Sequence, residues 1–250
     1  MHPDWLVPDW RDSAAAGVMT TRRGGRSAGA FESMNLREGL GDDDAAVRHN
    51  LALLERSMGV PPVWLEQVHG ARVVRLDARD AAPGAPVHRA DASVTTAHGV
   101  ACAVQVADCL PVLFAAPGAV GAAHAGWRGL AAGVLEATVQ ALCEAAGCAP
   151  RDVRAWLGAC IGPGRFEVGR DVLEAFGVAA GGASPHFRPR AAAGKWLADL
   201  PALARERLQR AGVTQASGGG WCTVEDASRF FSFRRDRVTG RMAAAVWRRG

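Results

Sequence analysis

Three short apolar runs in the middle of the chain, residues 100–106, 111–116 and 120–123, are separated by turn-forming residues and followed by a helical pattern over 129–146. Runs this short and this apolar lack polar alternation, so they read as strands buried on both faces. A chain that hides several such strands has to cover its sheet with other elements. That points to a layered α/β or α+β fold with mixed sheets. It argues against a Rossmann fold or a barrel, because strands and helices alternate without a regular βαβ period. With 250 residues, 49% hydrophobic and 22% charged, the chain can remove roughly 70–75% of its unfolded surface from water. A disordered, collagen-like or coiled-coil chain is excluded on the same grounds. No apolar run nears the roughly 20 residues that span a bilayer, so no membrane association is expected.

The flanking segments fit this frame. A helix is predicted from the acids at 42–44, with Val47, Leu51, Leu54 and Met58 at helical spacing and Gly59 as its stop. Strands are predicted at 18–21, 63–68, 72–76, 153–157, 230–233 and 242–247. Helices are predicted at 171–176 and 199–211. Loops are expected over 78–90 and, as a mobile segment, over 179–194. One domain is expected across 1–250, with 1–17 as an N-terminal arm; those first residues show no apolar stretch behind a basic start, so a secretory signal is not expected.

Twenty-nine basic residues against 25 acidic ones leave a net charge of +4, and all the basic residues except Lys195 are arginines. They are scattered, which suits a small anionic substrate better than a nucleic acid. The six cysteines contain no Cys-x-x-Cys pair and sit mostly in apolar runs, so a reducing, cytoplasmic compartment is expected.

Chemistry concentrates at His69, Cys109 and His124, each at the end of a predicted strand in a turn-rich segment. Two imidazoles and a thiolate make a three-ligand zinc site with its fourth position open, the arrangement of catalytic zinc. Spacings of 40 and 15 residues match no compact metal motif, so a core thiol and two backbone-bonded histidines stay open as the alternative. Just downstream, the small-residue turn leading from His124 to Gly129 opens a helix, and Arg128 adds a guanidinium to what reads as an anion site or an ordinary surface arginine. Residues 25–29 match the Gly-x-Ser-x-Gly elbow, but no helix follows as that motif demands. Asp108 suits a proton-transfer or orienting role, or a structural one, and Cys222 either lines a pocket or packs as a thiol.

These segments resemble the laccase-domain family, also called the polyphenol oxidase or YfiH-type family. The resemblance covers nearly the whole chain, through residues 20–25, 34–36, 64–70, 107–114, 122–133, 158–169 and 230–240; the blocks ADCLPVLF and HAGWRGLAAGVLE are long and unusual in composition. It implies one catalytic zinc ion on His69, Cys109 and His124. It also implies phosphate-dependent cleavage of purine nucleosides (adenosine, inosine, guanosine and methylthioadenosine), with adenosine deamination alongside. The implied fold is a single layered α/β/α-type domain similar to the cytotoxic-necrotizing-factor deamidases. The family often carries Asn-Arg where this chain has Asn50-Leu51, so phosphate binding is expected to rest on Arg128 and Arg22, with Asn35 as a further substrate-binding candidate. The family's glycine-rich turn usually ends in a cysteine that Gly164 replaces here, which speaks against that position as a ligand.

The older family name implies copper oxidation of phenols. A multicopper cluster draws on paired His-x-His ligands, and among the seven histidines no two are one residue apart, so any copper is expected to be adventitious. Two other readings stand beside the phosphorylase: a cytoplasmic zinc hydrolase or amidase, for example one editing a peptidoglycan precursor, which would need no phosphate; and a zinc-stabilised binding module, which would need a fourth protein ligand.

Overall fold

The computed structural model describes residues 1–10, 14–179 and 184–250. The three central apolar runs become the strands Ala101–Val106, Leu110–Ala116 and Ala119–Ala125. The last two form an antiparallel hairpin, from Leu110 opposite Ala125 to Ala116 opposite Ala119. Ala101–Val106 does not join them. It lies in a second sheet, between Met242–Arg248 and Pro62–Val63, with Ala15–Met19 at the far edge. The chain therefore crosses from one sheet to the other within residues 107–109, where Asp108 takes a left-handed conformation at φ 91°. That crossing sets Cys109 at the rim of the space between the sheets.

The six-stranded sheet runs Gln215–Gly218, Arg154–Leu157, Leu110–Ala116, Ala119–Ala125, Ala92–Thr95, Val73–Leu76, with both edge pairs parallel and the inner ones antiparallel. Strand alternation sorts the core into layers. Cys102, Val104, Val106, Ala244 and Val246 meet Leu113, Ala115, Val120 and Ala122 between the two sheets. Ala101, Ala103, Ala243 and Ala245 face outward against Leu54 and Met58 of the helix Asp44–Met58. Val112, Phe114, Ala119 and Ala123 face the other way, onto Leu135, Val139 and Leu142 of the helix Val134–Ala146 and onto Leu203 and Leu208 of the helix Leu200–Arg210. The expected layered mixed α/β architecture is present, with its sheet layer doubled: helix, sheet, sheet, helices. Phe114 is fully buried in this packing. Its replacement by alanine should lower unfolding free energy by about 3–5 kcal/mol in a urea titration; a change under about 1 kcal/mol would contradict the core assigned here.

Local signals hold well in the helix Asp44–Met58, where Asp43 accepts from the Ala45 and Ala46 amides and Gly59 closes the end at φ 73°. Others are overridden. The helix expected over 129–146 starts at Trp127 and breaks at Gly133, φ 92°, into Trp127–Ala131 and Val134–Ala146. The strand expected at 230–233 is absent. Phe230 and Phe231 plug the space between the sheets, and Ser232 caps the short helix Phe233–Asp236 by accepting from the Arg235 amide. The run 63–68 divides into Pro62–Val63 and Leu65–Glu66, which belong to different sheets. Within the expected loops lie a turn of 3-10 helix, Ala78–Ala81, and the strand Phe187–Pro189; residues 180–183 of the second loop fall outside the described residues. The N-terminal segment buries Trp5, Leu6 and Trp10, with Leu6 bridging to Met19.

Candidate metal centre and the clefts beside it

Alternation along Ala119–Ala125 points Val120, Ala122 and His124 into the space between the sheets, so His124 ends that strand facing the crossing that carries Cys109. It is buried, and its Nδ1 lies 2.8 Å from Oδ1 of the fully buried Asp91. Asp91 precedes Ala92–Thr95, the strand paired to that of His124, and its carbonyl accepts the His124 amide at 2.7 Å. The same carboxylate accepts from the backbone amides of Val68, His69 and Gly70 at 3.2, 2.8 and 2.7 Å. One buried acid therefore fixes both histidines. It sets the His124 tautomer so that Nε2 faces outward, and it holds the loop in which His69 adopts φ 61°.

The ligand atoms of His69, Cys109 and His124 all lie within 4.8 Å of one another. The two imidazoles meet edge to face with centroids 4.8 Å apart, and Cys109 Sγ is 3.8 Å from His69 Nε2. Donors bound to one tetrahedral zinc, at about 2.0–2.1 Å for nitrogen and 2.3 Å for sulfur, stand about 3.4–3.6 Å apart. The observed set needs only small side-chain adjustments, so the residues fit a zinc ion. Glycines make the room: a Cβ at Gly126 would stand 3.0 Å from both Cys109 Sγ and His69 Cδ2, and one at Gly129 would stand 2.7 Å from the Gly70 carbonyl.

Charge is redistributed within the cluster. Burial opposes ionisation of Cys109, but hydrogen bonds and charge from His124 and His69 outweigh it and bring the thiol to about 6. Burial likewise opposes the His124 cation, yet Asp91 and Cys109 raise it to about 9. Asp91 stays below the usual carboxylate range because the His124 bond and the Gly70 and His69 amides outweigh its burial. Without metal, the centre is a thiolate–imidazolium pair between those two values, and metal binding releases the His124 proton. In chelator-stripped protein the rate of Cys109 carbamidomethylation by iodoacetamide, followed by peptide mass, should therefore rise with a midpoint near pH 6. Cys143, pushed up to about 11 by burial and the neighbouring Cys148, stays unreactive at neutral pH. A Cys109 midpoint near the free-thiol value of about 8.5 would contradict this electrostatic account.

Two clefts meet at this cluster and share His69, Ala107, Cys109 and Phe233 as the ridge between them. One, of 310 Å³, is walled by Trp127, Arg128, Ile161, Phe166, Arg234 and Arg237. The other, of 340 Å³, is walled by Arg37, Gln67, Gln105, His124 and Arg241. A larger open groove of 700 Å³ lies away from the cluster, between Arg26 and the start of the helix Asp44–Met58; among the described residues it brings together no set of metal-binding donors.

Of the other residues singled out by sequence, Arg128 lines the first cleft, its guanidinium 4.3 Å from the Trp127 ring. Arg22 lines neither cleft. It donates to the carbonyls of Glu32 and Ala227 and lies over Phe231. Asn35 is fully buried, bonded to the backbone of Arg37 and Arg241. Asp108 accepts from Thr223 Oγ1 and from the Arg234 amide, both at 2.6 Å, so it braces the cleft wall. Cys222 accepts the Gly162 amide and lines neither cleft. Asp91, Arg37, Phe233, Arg234, Arg237 and Arg241 are not among the site residues expected from the sequence; no local spacing singles them out for a site.

Residues 16–249 match the family model described as multi-copper polyphenol oxidoreductase laccase. The chain belongs to this family. Among its relatives, purine nucleoside phosphorylase PA4543 of Pseudomonas aeruginosa is 47% identical over 97% of this chain and 98% of its own length. Purine nucleoside phosphorylase YfiH of Escherichia coli is 45% identical over the same shares. Among solved structures, Neisseria meningitidis NMB0706 aligns with a TM-score of 0.88 at 45% identity, covering 99% of this chain and all of that one. YlmD from Geobacillus stearothermophilus aligns with a TM-score of 0.90 at 34% identity, covering 98% and 96%. The family's description invokes several coppers, whereas among the described residues one cluster has the donors for one ion. Elsewhere His88 and His186 pair with Asp80 and Glu206.

Proposed function

We propose that the chain is a zinc-dependent purine nucleoside phosphorylase acting on adenosine, inosine, guanosine and methylthioadenosine, with adenosine deamination as a second activity of the same centre. The observation that carries this reading is the convergence of His69, Cys109 and His124 on one point between two arginine-lined clefts. Relatives named purine nucleoside phosphorylase, similar over nearly their whole length, support it. His69, Cys109 and His124 would hold the zinc ion, which with an open position supplies a Lewis acid for an oxygen of the co-substrate.

The chain's own residues do the rest. Arginines at this centre bind the phosphate dianion in one of the clefts through charge-assisted bonds, and Phe233 offers an exposed ring face on which a purine stacks. In phosphorolysis a phosphate oxygen bonds to the sugar C1′ while the C1′–N9 bond breaks, and the electron pair leaves with the purine, which takes a proton. Positive charge develops on the sugar, and the bound phosphate stabilises it. Six free thiols fit a reducing, cytoplasmic setting. No helix among the described residues is long and apolar enough to cross a membrane.

Incubation of the purified protein with adenosine and phosphate should yield ribose-1-phosphate and adenine, with inosine and ammonia from the second activity. Nucleoside cleavage that proceeds at an equal rate without phosphate would replace this reading with a hydrolase. No turnover of any of the four nucleosides would overturn it.

A further inference from the structure

We infer that the two clefts divide the substrates: phosphate enters the cleft lined by Arg37 and Arg241, and the purine enters the cleft lined by Trp127 and Phe166. This rests on the phosphorolytic reading above and deepens it. The two clefts differ in the side chains that wall them. In the first, Arg128 lies over the Trp127 ring, Arg234 lies 5.5 Å from the Phe166 ring and donates to the Glu167 carbonyl, and Arg237 lies 5.8 Å from the Phe233 ring. With Ile161 and Leu200 beside these aromatics, that cleft is a flat apolar slot edged by guanidinium planes, which suits a heterocyclic base.

Polar side chains, Gln67 and Gln105, wall the second cleft where Trp127 and Phe166 wall the first. Arg37 and Arg241, like the arginines of the first cleft, form no ion pair with a carboxylate among the described residues. Arg241 donates through Nη1 to the carbonyls of Thr239 and Gly240 and lies 5.7 Å from the Phe233 ring; Arg37 reaches Gln105 Oε1 at 3.5 Å. Among the described residues, most of each five-donor fork has no hydrogen-bond partner. Both line one cleft, and burial, with the Arg37 charge beside it, disfavours the Arg241 cation, an arrangement that an anion relieves.

Their backbones are fixed by one buried side chain. Asn35 Oδ1 accepts from the amides of Arg37 at 3.1 Å and Arg241 at 2.9 Å, and Leu36 donates to the Arg241 carbonyl. The pair is thus anchored without engaging its guanidiniums. Gln67 and Gln105 line the same cleft, locked to each other by two bonds, Gln67 Nε2 to the Gln105 carbonyl and the Gln105 amide to Gln67 Oε1. The cleft opens on Cys109 and His69, where the other begins. Phosphate on one side of that ridge and purine on the other would put the sugar C1′ carbon over it.

The test combines calorimetric titration of inorganic phosphate into the purified protein with steady-state kinetics on inosine. Arg37→Gln and Arg241→Gln should each raise both the phosphate Kd and the phosphate KM by about 10–100-fold, the loss expected for a charge-assisted bond, with the inosine KM within about twofold. Arg128→Gln should leave the phosphate Kd within about twofold and raise the inosine KM. Unchanged phosphate binding in both Arg37→Gln and Arg241→Gln, or a phosphate Kd raised only by Arg128→Gln, would overturn the assignment. Absence of phosphorolysis with phosphate binding still lost in Arg37→Gln and Arg241→Gln would sink the proposed activity and leave the anion site standing.

Discussion

Cys109→Ala should lower phosphorolysis by about 10³-fold or more, because a Lewis acid contributes several kcal/mol and two imidazoles alone hold zinc poorly. The fold should survive the change. Cys109 is a half-buried residue at the rim of two clefts, packed against the core between the sheets but not one of its buried members. Circular dichroism and thermal midpoint serve as controls. Activity within tenfold of the parent, in protein with an unchanged midpoint, would remove the thiol from the chemistry.

Asp91→Ala should do more damage to the molecule. The change strands the buried His124 cation and leaves the amides of Val68, His69 and Gly70 without their acceptor. Breaking a buried charge pair of this kind costs about 3–5 kcal/mol. For a chain of this size that corresponds to a fall of roughly 10 °C in the thermal midpoint. Asp91→Asn keeps the shape but only one of the two accepting oxygens, and its NH2 group then faces N–H donors, so it should also lose stability while zinc affinity drops about 10–100-fold, the effect of disturbing the residue that orients a metal-binding histidine. If Asp91→Ala melts within 2–3 °C of the parent, the two-histidine brace described above carries little energy.

The contrast between Cys109 and Asp91 shows what was legible in the sequence. Cys109, His69 and His124 each sit in a compact turn signature at a strand end, which a linear reading detects. The helix Asp44–Met58 was equally legible, since its cap, its apolar spacing and its closing glycine are all local. Asp91 carries no such mark. Its partners lie 21 to 33 residues away, and only the pairing of Ala92–Thr95 with Ala119–Ala125 gives it a role. Arg37 and Arg241 are joined through Asn35 across 206 residues, a contact no window of sequence contains. The Phe230–Phe231 pair failed for another reason. An apolar run states that a segment is buried, not that it is extended, and here burial comes from plugging a gap between sheets. The doubled sheet was hidden too, because the switch between sheets turns on the left-handed conformation of one residue, Asp108.

Metal content bears on all of this most directly. Protein purified in zinc-supplemented medium and analysed by mass spectrometry of its metals should hold one zinc per chain, and Cys109→Ala and His124→Ala should each fall well below that. Two or more coppers per chain, or one zinc retained undiminished by both substitutions, would contradict a single centre built from His69, Cys109 and His124.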